Sequence, residues 1–189
     1  MAVVLATRNA HKLREFGRLL PAVELEPLPE RVRLPPEAGD TFAANAASKA
    51  RAAAAATGEV AIADDSGIEA EALGGAPGVR SARFAGPDAT DAENLARLRS
   101  EAPPGSRLRY VCVIAHAAPD GAEHLFEGTC EGRLSPEARG ERGFGYDPVF
   151  LPDDVPDGRT MAELSVEEKD AISHRGRAVR ELLAVLNAG

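Results

Sequence analysis

The sequence is poor in several things, and each shortage excludes a class of protein. It has no tryptophan, two tyrosines and six phenylalanines in 189 residues, so an aromatic placed in a loop needs a reason. It has two cysteines, Cys112 and Cys130, with neither CxxC nor Cys/His metal spacing. That excludes a disulfide scaffold and a zinc module, and both thiols are expected to be reduced and packed. No apolar run approaches the roughly 20 residues that span a bilayer. The start, MAVVLATRNAHK, turns polar too early for a signal peptide, so a cytoplasmic location is expected. Positive charge is also short: 22 Lys and Arg against 30 Asp and Glu leave a net charge of −8. Broad nucleic-acid binding needs a basic face and is excluded, whereas a small phosphate ligand needs only a few local cations. Lysine is scarcest, with Lys12, Lys49 and Lys169 against 19 arginines. The two residues are not interchangeable where a compact ammonium is required, so these three positions become candidates for functional cations.

What is present is enough for one core. Alanine contributes 36 residues to the 44% hydrophobic content, yet Val, Leu, Ile and Phe remain numerous. The length suits one domain, or one domain with two lobes. Ala2 to Ala6 reads as a buried strand, after which Asn9 caps a helix carrying Leu13, Phe16 and Leu20 to Pro21. Val23 to Leu28 reads as a second strand and Pro27 to Pro36 as a loop. Asp40 or Thr41 can cap an alanine-rich helix ending at Thr57-Gly58. Val60 to Ala63 reads as a buried strand that stops at Asp64-Asp65-Ser66-Gly67. Leu73 to Gly86 reads as loop with a short helix, and Asp91 to Arg99 as helix. Arg107 to Ala117 and Glu123 to Leu134 read as a hairpin turning at Asp120-Gly121. Arg139 to Val149 reads as a glycine-rich loop. Ser165 with Glu168 forms a capping box, and Ser173 caps a last helix with the stripe Val179, Leu182, Leu183 and Leu186. Strand–helix alternation followed by a hairpin indicates a mixed α/β sheet.

Four segments could carry chemistry. Thr7-Arg8-Asn9-Ala10-His11-Lys12 lies where a buried strand meets a helix N-terminus, a place that favours anions. It lacks the glycines of a Walker A loop, and an ordinary capped helix with an exposed lysine fits as well. Asp64 and Asp65 follow a buried strand, where adjacent carboxylates repel unless a cation or shared proton compensates. Mg²⁺ suits such an oxygen-rich site, and so does a plain strand-ending Asx turn. Gly143 to Pro148 sets Phe144 and Tyr146 among glycines, either to stack on a base or to tuck onto the core. Lys169 with Ser173, His174 and Arg175 is a donor cluster or a polar helix start.

Together these segments resemble the inosine triphosphate pyrophosphatase family, which hydrolyses non-canonical purine nucleoside triphosphates. The matching pieces are ATRNAHK, TFAANAASKA, ADDSG, LGGAPGVRSARFAG, GFGYDPVF and AELSVEEKDAISHRGRA, in the family's order, from Ala6 to Ala178. The resemblance implies that residues 1–189 form a single nucleoside triphosphate pyrophosphatase domain. Its α/β fold would be an elongated mixed sheet flanked by helices, with two lobes around a central nucleotide-binding cleft, as in Maf and related proteins. It also implies a homodimer and a Mg²⁺-dependent reaction giving the monophosphate and pyrophosphate.

Carried over residue by residue, Thr7, Arg8, Asn9, Ala10, His11 and Lys12 would hold the triphosphate, with Lys49. Asp65 would be general base and metal ligand with Asp64 beside it, and Ser66 would contact the nucleotide. Phe144 would stack on the purine, and Gly145, Tyr146 and Asp147 would shape its pocket. Lys169, His174 and Arg175 would read the base edge, and Arg83 would help close the site. One departure stands out. The family usually has a metal-binding acid at the fourth position of TFxEN, and here that position is Ala44, so a ligand is expected to be missing unless Asp40 or Glu37 replaces it. A Maf-like enzyme acting on other modified nucleotides, and a nucleotide-binding protein that has lost turnover, are the alternatives.

Overall fold

The computed structural model describes residues 2–186. Six strands form one sheet in the order β2-β1-β3-β4-β5-β6. They are β1 (Val3–Leu5), β2 (Leu25–Pro27), β3 (Ala61–Ala70), β4 (Arg107–Ala117), β5 (Glu123–Leu134) and β6 (Phe150–Pro152). β1 pairs in parallel with β2 and with β3, whereas β5 and β6 are antiparallel. The helices are α1 (Ala10–Leu19), α2 (Phe42–Thr57), α3 (Asp91–Glu101), α4 (Val166–Ile172) and α5 (His174–Leu186), with four short 3₁₀ turns between elements. The result is the mixed, helix-flanked α/β sheet expected from the alternation.

The backbone divides into two compact units. The first is Met1–Asp65, Cys112–Gly128 and Ala178–Gly189, and the second is Ser66–Val111 and Thr129–Arg177. Each has its own core. In the first, Val3, Leu5 and Ile62 pack with Phe16, Leu20, Cys112, Ile114, Val179 and Leu182. In the second, Ile68, Leu98, Leu108, Tyr110, Leu134, Val149, Phe150, Met161 and Leu164 pack together. Both cysteines are free and buried, and burial pushes the Cys130 thiol up to about 12. Cys130 is a small core residue and carries no thiolate at neutral pH.

Local chemistry explains most boundaries. Asn9 accepts from the His11 and Lys12 N–H groups and so starts α1. Thr41, not Asp40, caps α2, and Gly58 ends it at φ 75°. Ser165 and Glu168 form the expected capping box of α4, and the Ser173 hydroxyl accepts from the Gly176 N–H at the start of α5. Two expectations are corrected. The strand read as stopping at Asp64 runs on through Asp64-Asp65-Ser66-Gly67 to Ala70. The acidic pair is therefore held in a ladder, with both side chains buried, and is not a turn. The second strand covers only Leu25–Pro27, because the proline-rich segment after it offers few ladder donors.

The alanine run of α2 has a packing reason. Ala46, Ala47, Ala50, Ala53 and Ala54 are buried, so the helix presents its backbone closely to the unit's core. Ala50→Leu is expected to overpack this face and cost about 1–3 kcal/mol in urea unfolding. Ala55→Leu, on the exposed face of the same helix, is expected to change stability by less than about 0.5 kcal/mol. Equal effects at the two positions would contradict the close-packing account.

Candidate active site

In the first unit, two lysines meet three carboxylates. Lys12, in the first turn of α1, reaches back to Asp64 Oδ2 at 3.0 Å. A lysine there opposes the helix dipole, and the buried carboxylate of Asp64 supplies the reason for it. Lys49 Nζ donates to Glu37 Oε1 and to the Asp64 carbonyl, both at 2.6 Å. Asn45, one turn before Lys49, donates to Asp65 Oδ2 at 2.8 Å and accepts from the Gly39 N–H at 2.8 Å. One asparagine thus ties Asp65 to the loop that carries Glu37.

The charges are balanced unevenly. Burial pulls the Lys49 ammonium down, but Asp64, Glu37 and Asp65 outweigh it, and its pKa is raised. The Asp65 carboxyl is pushed up to about 6, first by burial and then by the negative charge of Glu37, against the pull of Lys49, Asn45 and Lys12. A cation placed beside these carboxylates would relieve that cost. Among the described residues no group of three His, Cys, Asp or Glu side chains could hold a metal. Buried carboxylate oxygens left partly uncompensated are the donor chemistry of a hard cation such as Mg²⁺, which takes one or two carboxylates and completes its shell with water and ligand oxygens.

Of the two acids that could stand in for a ligand at Ala44, the geometry favours Glu37 over Asp40. Ala44 and Asp40 are exposed, whereas the neighbouring Asn45 is buried against Asp65. The carboxylate that reaches Lys49 belongs to Glu37.

The rest of the Thr7–Lys12 segment is placed in three ways. Thr7 Oγ accepts from the Asn9 N–H, which shapes the turn. Arg8 is spent elsewhere: its guanidinium donates to the carbonyls of Leu28, Pro29 and Val32 at 2.6, 2.7 and 3.2 Å. It pins the proline-rich loop. Ala10 and His11 are exposed, and His11 Nδ1 faces Arg14 at 2.9 Å.

In the second unit, Asp147 is the hub. Its Oδ2 accepts from Lys169 Nζ at 2.8 Å and from the Phe144 N–H at 3.0 Å, while Oδ1 accepts from the Tyr110 hydroxyl at 3.1 Å. Gly143 is required beside it, because a Cβ there would lie 2.0 Å from Asp147 Oδ2 and φ is +76°. The ring of Phe144 is half-buried, with Lys169 Nζ 5.1 Å and Arg175 Cζ 6.0 Å from its centroid. Gly145 N–H donates to Asp91. Tyr146 is core, its hydroxyl donating to the Ser81 carbonyl. Arg175 is fully buried and donates to Ser66 Oγ at 2.9 Å. His174 is buried and stacks on Tyr110. Arg83 ends the 3₁₀ turn Gly78–Arg83 and is half-buried. The structure thus joins Lys12, Lys49, Asp64 and Asp65 in one group and Phe144, Asp147, Lys169 and Arg175 in another. Sequence reasoning did not single out Tyr110, Ser81 or Asp91, since each acts through a contact distant in sequence.

Comparison with known proteins decides the family. The Ham1 family profile matches residues 3–185. The chain belongs to the Ham1 family. A protein of Symbiobacterium thermophilum named dITP/XTP pyrophosphatase is 50% identical over 98% of this chain and 95% of its own length. One of Cutibacterium acnes with the same name is 48% identical over 98% and 96%. Among solved structures, a HAM1 protein from Coxiella burnetii superimposes with a TM-score of 0.87 at 43% identity, covering all of both chains. A nucleoside-triphosphatase, dITP/XTP pyrophosphatase, from Mycobacterium abscessus gives a TM-score of 0.75 at 43% identity over 97% of this chain and 99% of its own.

The raised carboxyl makes a stability prediction for the metal-free Ham1 protein. The Asp65 pKa, about 6 in the fold, exceeds the roughly 3.9 of an unfolded chain. Burying the ionised form therefore costs stability in full above about pH 6, and most of that cost fades as pH falls to about 4, near the unfolded pKa, below which both states are protonated. Asp65→Asn removes the charge. It is expected to stabilise the protein by about 1–3 kcal/mol at pH 8 and by nearly nothing at pH 4. Thermal unfolding at the two pH values checks this, and a destabilised variant at pH 8 would contradict it.

Proposed function

We propose that this protein hydrolyses non-canonical purine nucleoside triphosphates, inosine and xanthosine triphosphates in ribo and deoxy forms, to the monophosphate and pyrophosphate. The observation that carries the reading is the Asp65 group. A buried carboxylate is oriented by Asn45, and its neighbour Asp64 engages two lysines, in a chain about half identical to proteins named dITP/XTP pyrophosphatase.

Phosphoryl chemistry of this kind needs positioning and charge neutralisation more than covalent catalysis. Lys12 and Lys49 neutralise phosphate oxygens. Asp65 with Asp64, or with Glu37 in its place, would hold Mg²⁺, which when bound would neutralise further oxygens on the substrate. Asp65 takes the proton from a water whose oxygen bonds to the α-phosphorus, while the bond from that phosphorus to the bridging oxygen breaks and pyrophosphate leaves. Phe144 offers a face for the purine. Lys169, His174 and Arg175 supply donors for the carbonyl oxygen at its position 6. Adenine carries an amino group there, and donor would face donor. The proposal includes a cytoplasmic location. Among the described residues, no helix is long and apolar enough to cross a membrane. It also includes a homodimer, for which the exposed Leu125 on β5 and Val185 on α5 are candidate contacts.

The test is pyrophosphate release with a nucleotide panel. kcat/KM for ITP and XTP is expected to exceed that for ATP by at least about 100-fold, and equal values would contradict the reading. Asp65→Asn is expected to lose at least about 100-fold in kcat. Glu37→Gln is expected to raise the free Mg²⁺ needed for half-maximal rate, and Ala44→Glu to leave it unchanged. A lowered requirement in Ala44→Glu would instead show that a ligand is missing at that position.

A further inference from the structure

Tyr110 lies on β4 and is buried, one of only two tyrosines in the chain. Its ring does three things at once. One face lies flat on the imidazole of His174, with centroids 4.5 Å apart and planes 6° apart. Phe150 packs against it at 4.6 Å and 50°. Its hydroxyl donates to Asp147 Oδ1 at 3.1 Å. That bond occupies the carboxylate oxygen opposite the one that holds Lys169 and the Phe144 N–H. A carboxylate fixed at one oxygen alone can swing about its Cβ–Cγ bond. Fixed at both, it presents its second oxygen to Lys169 in a single direction. Burial, followed by the charge of Asp147, raises the phenol pKa well above its ordinary value, so it stays a donor at any working pH.

We propose that Tyr110 is a positioning residue for base recognition. It orients Asp147, and through it Lys169 and the Phe144 loop, and it sets the plane of the His174 imidazole. Tyr110 does not act on the reacting phosphate. This inference rests on the purine triphosphate reading, because only that reading makes Lys169 and His174 the groups that read the base.

The experiment separates the two claims. kcat/KM for ITP and for ATP is measured in wild type, Tyr110→Phe and Tyr110→Leu. The Phe variant keeps the stack on His174 and removes the hydrogen bond, and the Leu variant removes both. The ITP-to-ATP ratio is independent of the fraction of enzyme that is folded, so partial unfolding cannot imitate the effect. Tyr110→Phe is expected to lower the ratio about fivefold to tenfold, the loss of one hydrogen bond near a charge. The change should fall on KM for ITP, with kcat within about twofold, because the bond orients binding groups and not the reacting water. Tyr110→Leu is expected to lower the ratio further. Wild-type ratios in both variants would overturn the positioning role, as would equal losses for ITP and ATP. A wild-type enzyme with no preference for ITP would overturn the functional reading itself.

Discussion

The first unit depends on one constraint: carboxylates taken out of water must be matched by cations. Asp64 and Asp65 are held in the interior of a strand, where their backbones pair and their side chains have no solvent. Each burial would cost several kcal/mol alone. Lys12 answers Asp64 through its carboxylate, and Lys49 answers it through its carbonyl while also engaging Glu37. Asn45 supplies a neutral donor to Asp65. The match is incomplete: burial first, and then the negative charge of Glu37, keep the Asp65 pKa raised against the pull of Lys49, Asn45 and Lys12.

The second unit uses the same physics with a different outcome. There the buried carboxylate, Asp147, is fully engaged by Lys169, a backbone N–H and a phenol. A carboxylate engaged at both oxygens serves as a scaffold. It holds a lysine and a glycine-rich loop still, and Gly143 is the residue that lets the loop come close enough. The contrast between the two carboxylates supports proposing chemistry at Asp65 and shape at Asp147.

Much of this was legible in the sequence. The scarcity of lysine pointed to Lys12, Lys49 and Lys169, and all three form ion pairs with acidic side chains at less than a tenth to about a seventh exposure. The capping residues Asn9, Thr41, Ser165 and Ser173 were readable because a cap is a local bond. Less was legible where partners are far apart. The acidic pair reads as a turn from composition, since Asp, Ser and Gly are turn residues, yet strand pairing overrides local preference and carries β3 through to Ala70. Arg8 reads as a phosphate ligand by position, but three carbonyls of a loop some twenty residues away take its guanidinium. Glu37 sits in a proline-rich loop with no periodic pattern to mark it, and only the fold shows that it faces Lys49.

The balance between Lys49 and the carboxylates is the centre of the account, and it can be measured on the metal-free protein. The Asp65 carboxyl is titrated by carbon NMR in wild type and in Lys49→Met, whose side chain has similar length and no charge. The account predicts that the Asp65 pKa rises above its value of about 6, because Lys49 is the largest of the influences that hold it down. An unchanged or lowered pKa in Lys49→Met would contradict the claim that the lysine compensates the buried acids.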